Sequence, residues 1–273
     1  MSRQARSCSG CLKTIEYPWT GFKSSRVLFN PSHYDELVAV DIEDSSLVYL
    51  SKRQEETSLI HMDGVYVSCF CWGPLGNTIW VGNGVYVSIV EFDRSGNWLR
   101  NVYVGAGSAA IACDEKNIVV CLATIEDNWP KLVVLDYTTG TIKATLGTFG
   151  SDAGLLCPFT THVAIVGSYY IVGIAEHSYF VRVDVHGNFV QVNLEEGGSI
   201  IAICSAHNDR DVYVSTSRMP HDVRRVDIFT GVVQNAWSLP KDLLGRVTDI
   251  MCIQADKSVT VFSDETQVLY TYV

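Results

Sequence analysis

Residues 87–104 read VSIVEFDRSGNWLRNVYV: an apolar run, a tight turn at Asp93-Arg94-Ser95-Gly96, and a second apolar run. The same unit returns as LVVLDYTTGTIKATL around Asp136 and Gly140, as FVRVDVHGNFVQVNL around Asp184 and Gly187, and as VRRVDIFTGVVQNAW around Asp227 and Gly231. The turn glycines, Gly96, Gly140, Gly187 and Gly231, stand 44, 47 and 44 residues apart. A strand-turn-strand unit recurring at about 40–50 residues is the period of a four-stranded propeller blade. The turns have a local logic. Gly supplies positive φ, and Asp or Asn bonds the neighbouring backbone, so each unit reads as a two-residue hairpin.

Working outward, the alternation of apolar runs and turn residues divides the chain into units at 26–62, 65–104, 109–146, 162–194, 200–237 and 247–273. Five carry four strands each and the last carries three. The spare strand lies at the other end, where CLKTIEYPW over residues 11–19 alternates and Pro18 marks its end or an edge. Pairing it with 268–273 completes a sixth sheet. The expected fold is therefore all-β: one six-bladed β-propeller over 11–273, closed by its N-terminal strand, with residues 1–10 as a tail. No segment of ten or more residues keeps a clean 3.6-residue period.

Composition agrees with a large buried core, since 47% of the 273 residues are hydrophobic and 18% charged. The net charge of −10 argues against nucleic acid as a partner, because phosphate binding needs a basic face. The adjacent pair Arg224-Arg225 reads as opposite faces of one strand. Nine cysteines include Cys69, Cys71, Cys113, Cys121, Cys157, Cys204 and Cys252 within apolar runs. Scattered buried thiols fit a reducing compartment, so the expected location is cytoplasmic or nuclear. Residues 1–11 lack a secretory h-region, and no run reaches the ~20 apolar residues of a membrane span.

EFDRSGNWLRNV and RVDVHGNFVQV resemble the NHL-type repeats of six-bladed β-propellers. LVVLDYTTGTI looks instead like the repeats of quinoprotein-type or WD40-like propellers, and CFCWGPLGNTIWVG is similar to a WD40 inner-strand pattern. The Gly-His and Trp-Asp signatures of WD40 repeats are absent. What the resemblance implies is an architecture whose partners use the face of the second-to-third strand loops and the crossovers between blades. Those loops carry Glu43-Asp44, Asn83-Gly84, Glu126-Asp127-Asn128-Trp129, Glu176-His177, residues 218–222 with His221, and Asp264-Glu265. Glu43, Asp44, Glu126, Asp127, Trp129, Glu176, His177 and His221 are accordingly the candidate protein-binding residues, with Trp129 as the aromatic anchor.

Enzymatic readings find less to stand on. The alternative is a small-molecule hydrolase or lyase like the lactonase-like and strictosidine-synthase-like propellers, in which Glu, Asn and Asp from several blades hold calcium. Here Asp249 is the one carboxylate on an expected inner strand, so that ligand set does not transfer. Glu176-His177, His221-Asp222 and Cys157 lack a nucleophile framework. Cys8-x-x-Cys11 is half a zinc site, and Cys69-Phe70-Cys71 has the spacing that points two thiols into one sheet interface. No cofactor and no catalytic or metal-binding residue is assigned. The expected function is a non-catalytic protein-interaction scaffold, a subunit of a larger assembly whose partners are other proteins.

Overall fold

The computed structural model describes residues 12–15, 24–29, 36–41, 46–51, 54–60, 67–83, 87–122, 131–147, 160–174, 177–195, 197–206, 208–217, 222–238, 247–253, 258–263 and 268–272. Every regular element among them is a β-strand. After β1 (Leu12–Ile15), the first sheet comprises β2 (Ser24–Phe29), β3 (Glu36–Asp41), β4 (Leu47–Ser51) and β5 (Gln54–Ile60). The second is β6 (Val67–Trp72), β7 (Thr78–Asn83), β8 (Ser88–Asp93) and β9 (Trp98–Tyr103). The third is β10 (Ser108–Cys113), β11 (Asn117–Leu122), β12 (Leu132–Asp136) and β13 (Ile142–Leu146). The fourth is β14 (Thr160–Val166), β15 (Tyr169–Ile174), β16 (Tyr179–Asp184) and β17 (Phe189–Asn193). The fifth is β18 (Ile200–Ser205), β19 (Asp211–Thr216), β20 (Asp222–Asp227) and β21 (Val233–Ser238). The last contains β22 (Val247–Ile253), β23 (Ser258–Ser263) and β24 (Val268–Tyr272), with β1 added at its outer edge.

All strand pairs are antiparallel, and β1 pairs with β24 in the register Leu12↔Tyr272 to Ile15↔Leu269. The first strands of successive sheets are neighbours in chain order, from β2 beside β6 through to β22 beside β2. The result is an all-β, propeller-like arrangement of four-stranded sheets.

Packing explains why the units read as they do. Each core cluster joins two adjacent sheets rather than filling one centre. Val38 and Leu47 of the first sheet meet Phe70, Trp72 and Ile79 of the second. Cys69, Trp80 and Ile89 of the second meet Ile118, Val120 and Val133 of the third. Similar clusters join the third to the fourth sheet and the fourth to the fifth. A middle strand is therefore covered on both faces, and β7, β11, β15 and β19 are buried almost throughout. Such strands read as unbroken apolar runs instead of alternating ones. The outer strands β9, β13 and β17 are mostly exposed or half-buried.

The structure corrects two sequence readings. The outer strand β5 starts at Gln54, within the polar stretch QEET, where the pattern of apolar runs gives no strand signal. The Asp-to-Gly turns are longer than two residues. Asp93 and Asn97 close a three-residue loop: Gly96 donates to the Asp93 carbonyl at 3.0 Å, and Asp93 N–H donates to the Asn97 carbonyl at 3.0 Å. Asp184 and Asn188 do the same. At Asp136 and Asp227 the loop has four residues, with Gly140 and Gly231 donating back to the aspartate carbonyl. The glycines have φ of 81°, 71°, 83° and 72° in chain order, the left-handed conformation that ends both loop types.

Candidate interaction face

Two ends of the sheets must be told apart before a site can be assigned. The Asp-to-Gly turns and the first-to-second strand turns share one end, here the turn face. The second-to-third connections and the crossovers between sheets share the other, the crossover face.

On the turn face, charged side chains are absorbed by the fold. The Asp93 carboxylate accepts the N–H groups of Ser95 and Asn97 and the Asn97 amide, each at 2.8 Å. Asp184 is held the same way by His186 and Asn188. Asn97 and Asn188, first through their side-chain amides, keep these two carboxyls below their ordinary range. The Thr139 N–H, followed by Lys143, brings Asp136 down to about 2. At Asp227 burial works the other way, yet hydrogen bonds from Arg210, Phe229 and Thr230 outweigh it and lower the carboxyl. Arginines then link the second sheet to the third and the fourth to the fifth. Arg100 of β9 donates to the Tyr137 and Thr138 carbonyls in the third sheet, at 2.7 and 2.8 Å. Arg182 of β16 donates to the Ile228 carbonyl at 3.2 Å and lies over the Phe229 ring.

This face also holds a cavity of about 340 Å³ between the third and fourth sheets, lined by Asp114, Lys116, Asn117, Gly167, Tyr170 and Val185 among others. Its Asp114 carboxylate is occupied by the N–H groups of Lys116 and Asn117. Burial, with a smaller contribution from the Asp114 charge, raises the Tyr170 phenol above its usual range.

On the crossover face, main chain and side chains both join the described residues. His177 carbonyl accepts the N–H of Ile200 at 2.9 Å, tying the second-to-third connection of the fourth sheet to the start of the fifth. Ser217 N–H donates to the Ser199 carbonyl at 2.8 Å, and Ser199 N–H donates to Ser217 Oγ at 3.2 Å. The crossover between these sheets is further held by Arg224, fully buried, whose guanidinium donates to the Gly197 carbonyl at 3.3 Å. Its neighbour Arg225 pairs with Asp211 at 2.8 Å, in line with the expected alternation.

At the same end, every first strand carries one extra residue against its partner. The register passes from Val67↔Asn83 to Cys69↔Gly82, and from Ser108↔Leu122 to Ala110↔Cys121. It slips likewise between Thr160 and His162, Ile200 and Ala202, Val247 and Asp249, and Ser24 and Val27. These are β-bulges, which bend a strand and re-aim a side chain at a sheet's rim. At Ser68 the bulged hydroxyl donates toward two carbonyls, Gly82 at 3.0 Å in its own sheet and Ser108 at 2.6 Å in the next. The bulges escaped the sequence reading. A single extra residue between apolar positions leaves no periodic signal, and the five clearest bulge positions hold Ser68, Ala109, Thr161, Ile201 and Thr248, three hydroxyl and two apolar residues with no type common to all.

Of the expected binding residues, His177 is described. It is half-buried, its ring 5.0 Å from that of Tyr179. Glu43, Asp44, Glu126, Asp127, Trp129, Glu176 and His221 lie outside the described residues, as do Cys8, Cys11 and Cys157. Asn83, expected in a loop, is instead the last residue of β7 and is buried. Asp222 is the first residue of β20. Asp249 lies on β22 directly after its bulge. Cys69 and Cys71 do share the interface with the third sheet, as their spacing required. Among the described residues, no group of three or more His, Cys, Asp or Glu could hold a metal ion, and no helix is long and apolar enough to cross a membrane.

No protein-family model matches the chain, and no curated protein matches it in sequence. Among solved structures it is similar to the β-propeller domain of Myceliophteria thermophila Cps50 (Swd1), at 12% identity and a TM-score of 0.62. The likeness covers 96% of this chain and 99% of that one. At that identity it is a likeness of fold.

Proposed function

We propose that this chain is a non-catalytic protein-interaction scaffold: a six-bladed β-propeller closed by its N-terminal strand, which docks a protein partner on its crossover face. The blade count is supported by the six first strands in mutual contact and by the bulge repeated in all six. The observation that carries the choice of face is the division of labour between the two ends. On the turn face, carboxylates and guanidiniums are committed to turns and to links between sheets. On the crossover face, main-chain hydrogen bonds among the described residues tie the fourth sheet to the fifth. The acidic loops with Glu43, Asp44, Glu126, Asp127 and Glu176, together with Trp129, His177 and His221, then form a negatively charged rim with one large aromatic anchor. Such a rim suits a partner with a basic, partly apolar surface.

Affinity purification from the native source tests this directly. The chain should return with a stoichiometric protein partner. A variant with Glu126, Asp127 and Trp129 all changed to Ala should lose that partner while keeping its unfolding midpoint. A partner retained by the variant would exclude this face, and the lack of any stoichiometric protein would exclude the scaffold.

A further inference from the structure

Cys71, next to last in β6, and Cys113, last in β10, occupy matching ends of the first strands of two adjacent sheets. Their sulfurs are 3.7 Å apart, with no side chain between them. Cys71 is buried within the interface of the second and third sheets, whereas Cys113 is half-buried at its margin and donates to the Trp72 carbonyl. Both are free thiols. Neither belongs to the proposed binding face.

We propose that Cys71 and Cys113 are a site of oxidative modification, forming a reversible disulfide that staples the second sheet to the third. The two sulfurs need to close by less than 2 Å to reach the ~2.05 Å of an S–S bond. The asymmetry of exposure sets the order of events. The oxidant is a peroxide, and it meets Cys113 first. The Cys113 thiolate attacks one peroxide oxygen, the O–O bond breaks, and hydroxide leaves to become water on protonation. Cys113 is now a sulfenic acid. The Cys71 sulfur then attacks the Cys113 sulfur, the S–O bond breaks, and the departing hydroxyl takes up the Cys71 proton as water. Two thiols lose two electrons in all, and one hydrogen peroxide becomes two waters. Burial, reinforced by Cys113, holds the Cys71 thiol well above its ordinary range, which suits the resolving partner rather than the first nucleophile. A thiol reductant reverses the bond by exchange.

The test uses the full reduced chain treated with hydrogen peroxide at one equivalent, alkylated under denaturing conditions, and mapped by peptide mass spectrometry. The expected product is a monomer that has lost two thiols, with the residue 101–116 tryptic peptide joined to the peptide containing Cys71. Its Tm rises by a few degrees over the reduced form and falls back with dithiothreitol, because the bond closes a loop of about 40 residues in the unfolded chain. The link persists in Cys69→Ser and is lost in Cys71→Ser and Cys113→Ser. If Cys113 proceeds to sulfinic acid, or stays alkylatable, while Cys71 remains a free thiol, the proposal fails. Joining of Cys71 to Cys69 would also overturn it. Should a serine variant not fold, fragment ions within the 54–94 tryptic peptide of the unaltered chain, which separate Cys69 from Cys71, decide the matter.

Discussion

Arg100 Nη2 donates to the Tyr137 carbonyl at 2.7 Å across the gap between the second and third sheets. The same guanidinium pairs with the nearly buried Glu91 at 2.6 Å and lies 4.8 Å from the Trp80 ring centre. One side chain thus satisfies a buried carboxylate in its own sheet and fixes a turn in the next.

Replacing Arg100 with Ala should be costly for two reasons at once. The third-sheet turn loses its link, and Glu91 is left in the interface without its cation. A loss of about 2–3 kcal/mol is expected from urea unfolding. Arg100→Lys keeps the charge but not the planar fork, so it should recover only part of the difference. An Ala variant within 0.5 kcal/mol of the parent, roughly the range of an ordinary surface change, would refute the clamp.

Two glycines with positive φ separate strain from collision. Gly105 has φ of 95° and open space where a Cβ would stand. Gly231 has φ of 72°, and its Cβ would meet the Asn193 carbonyl oxygen of the neighbouring sheet. Gly105→Ala should cost about 1–2 kcal/mol from backbone strain alone. Gly231→Ala should cost about 3 kcal/mol or more, since overpacking is added. Equal unfolding midpoints for the two variants would show that the turn of the fifth sheet is not pressed against the fourth.

The turn aspartates predict acid sensitivity with a definite sign. Asp93, Asp136, Asp184 and Asp227 all have lowered folded values, Asp136 down to about 2, against an unfolded value of about 3.9. A folded value below the unfolded one gives stability that is present above about pH 4. It is lost as pH falls through the folded values toward 2. Asp136→Asn should therefore melt below the parent at pH 6, with the gap shrinking as pH approaches 2. A gap independent of pH would mean that the charge of Asp136 contributes nothing.

His177 serves the fold through its carbonyl, which any residue supplies. His177→Ala should leave the unfolding midpoint within about 0.5 kcal/mol of the parent, while weakening capture of the partner. A large loss of stability would make the ring structural, and unchanged capture would remove it from the binding face.

The four copies of the Asp-to-Gly unit made the sheets legible, because turn chemistry is local. An aspartate beside a left-handed glycine writes the same hairpin wherever it occurs, although loop length was misjudged: Asn97 and Asn188 close a shorter loop than Thr141 and Val232. Strand limits were clear where both faces of a strand are buried, as in β12, and poor in β5, whose opening residues QEET carry no apolar signal. The bulges and the Arg100 and Arg182 links were not legible. Each depends on a partner some 15–50 residues away, and arginine in a strand has no spacing that announces such a partner.

By itself, then, the sequence determined that the chain repeats a four-stranded antiparallel sheet, and that a strand near its beginning must complete the last one. Hairpin turns and doubly buried strands are set by near neighbours, so they leave a periodic trace. Only the tertiary structure decided which side chains are consumed by the fold. The Arg100 guanidinium meets the Tyr137 carbonyl, and the sulfurs of Cys71 and Cys113 become neighbours, only when two sheets pack together. Those relationships follow from inter-sheet distance, which no local pattern records.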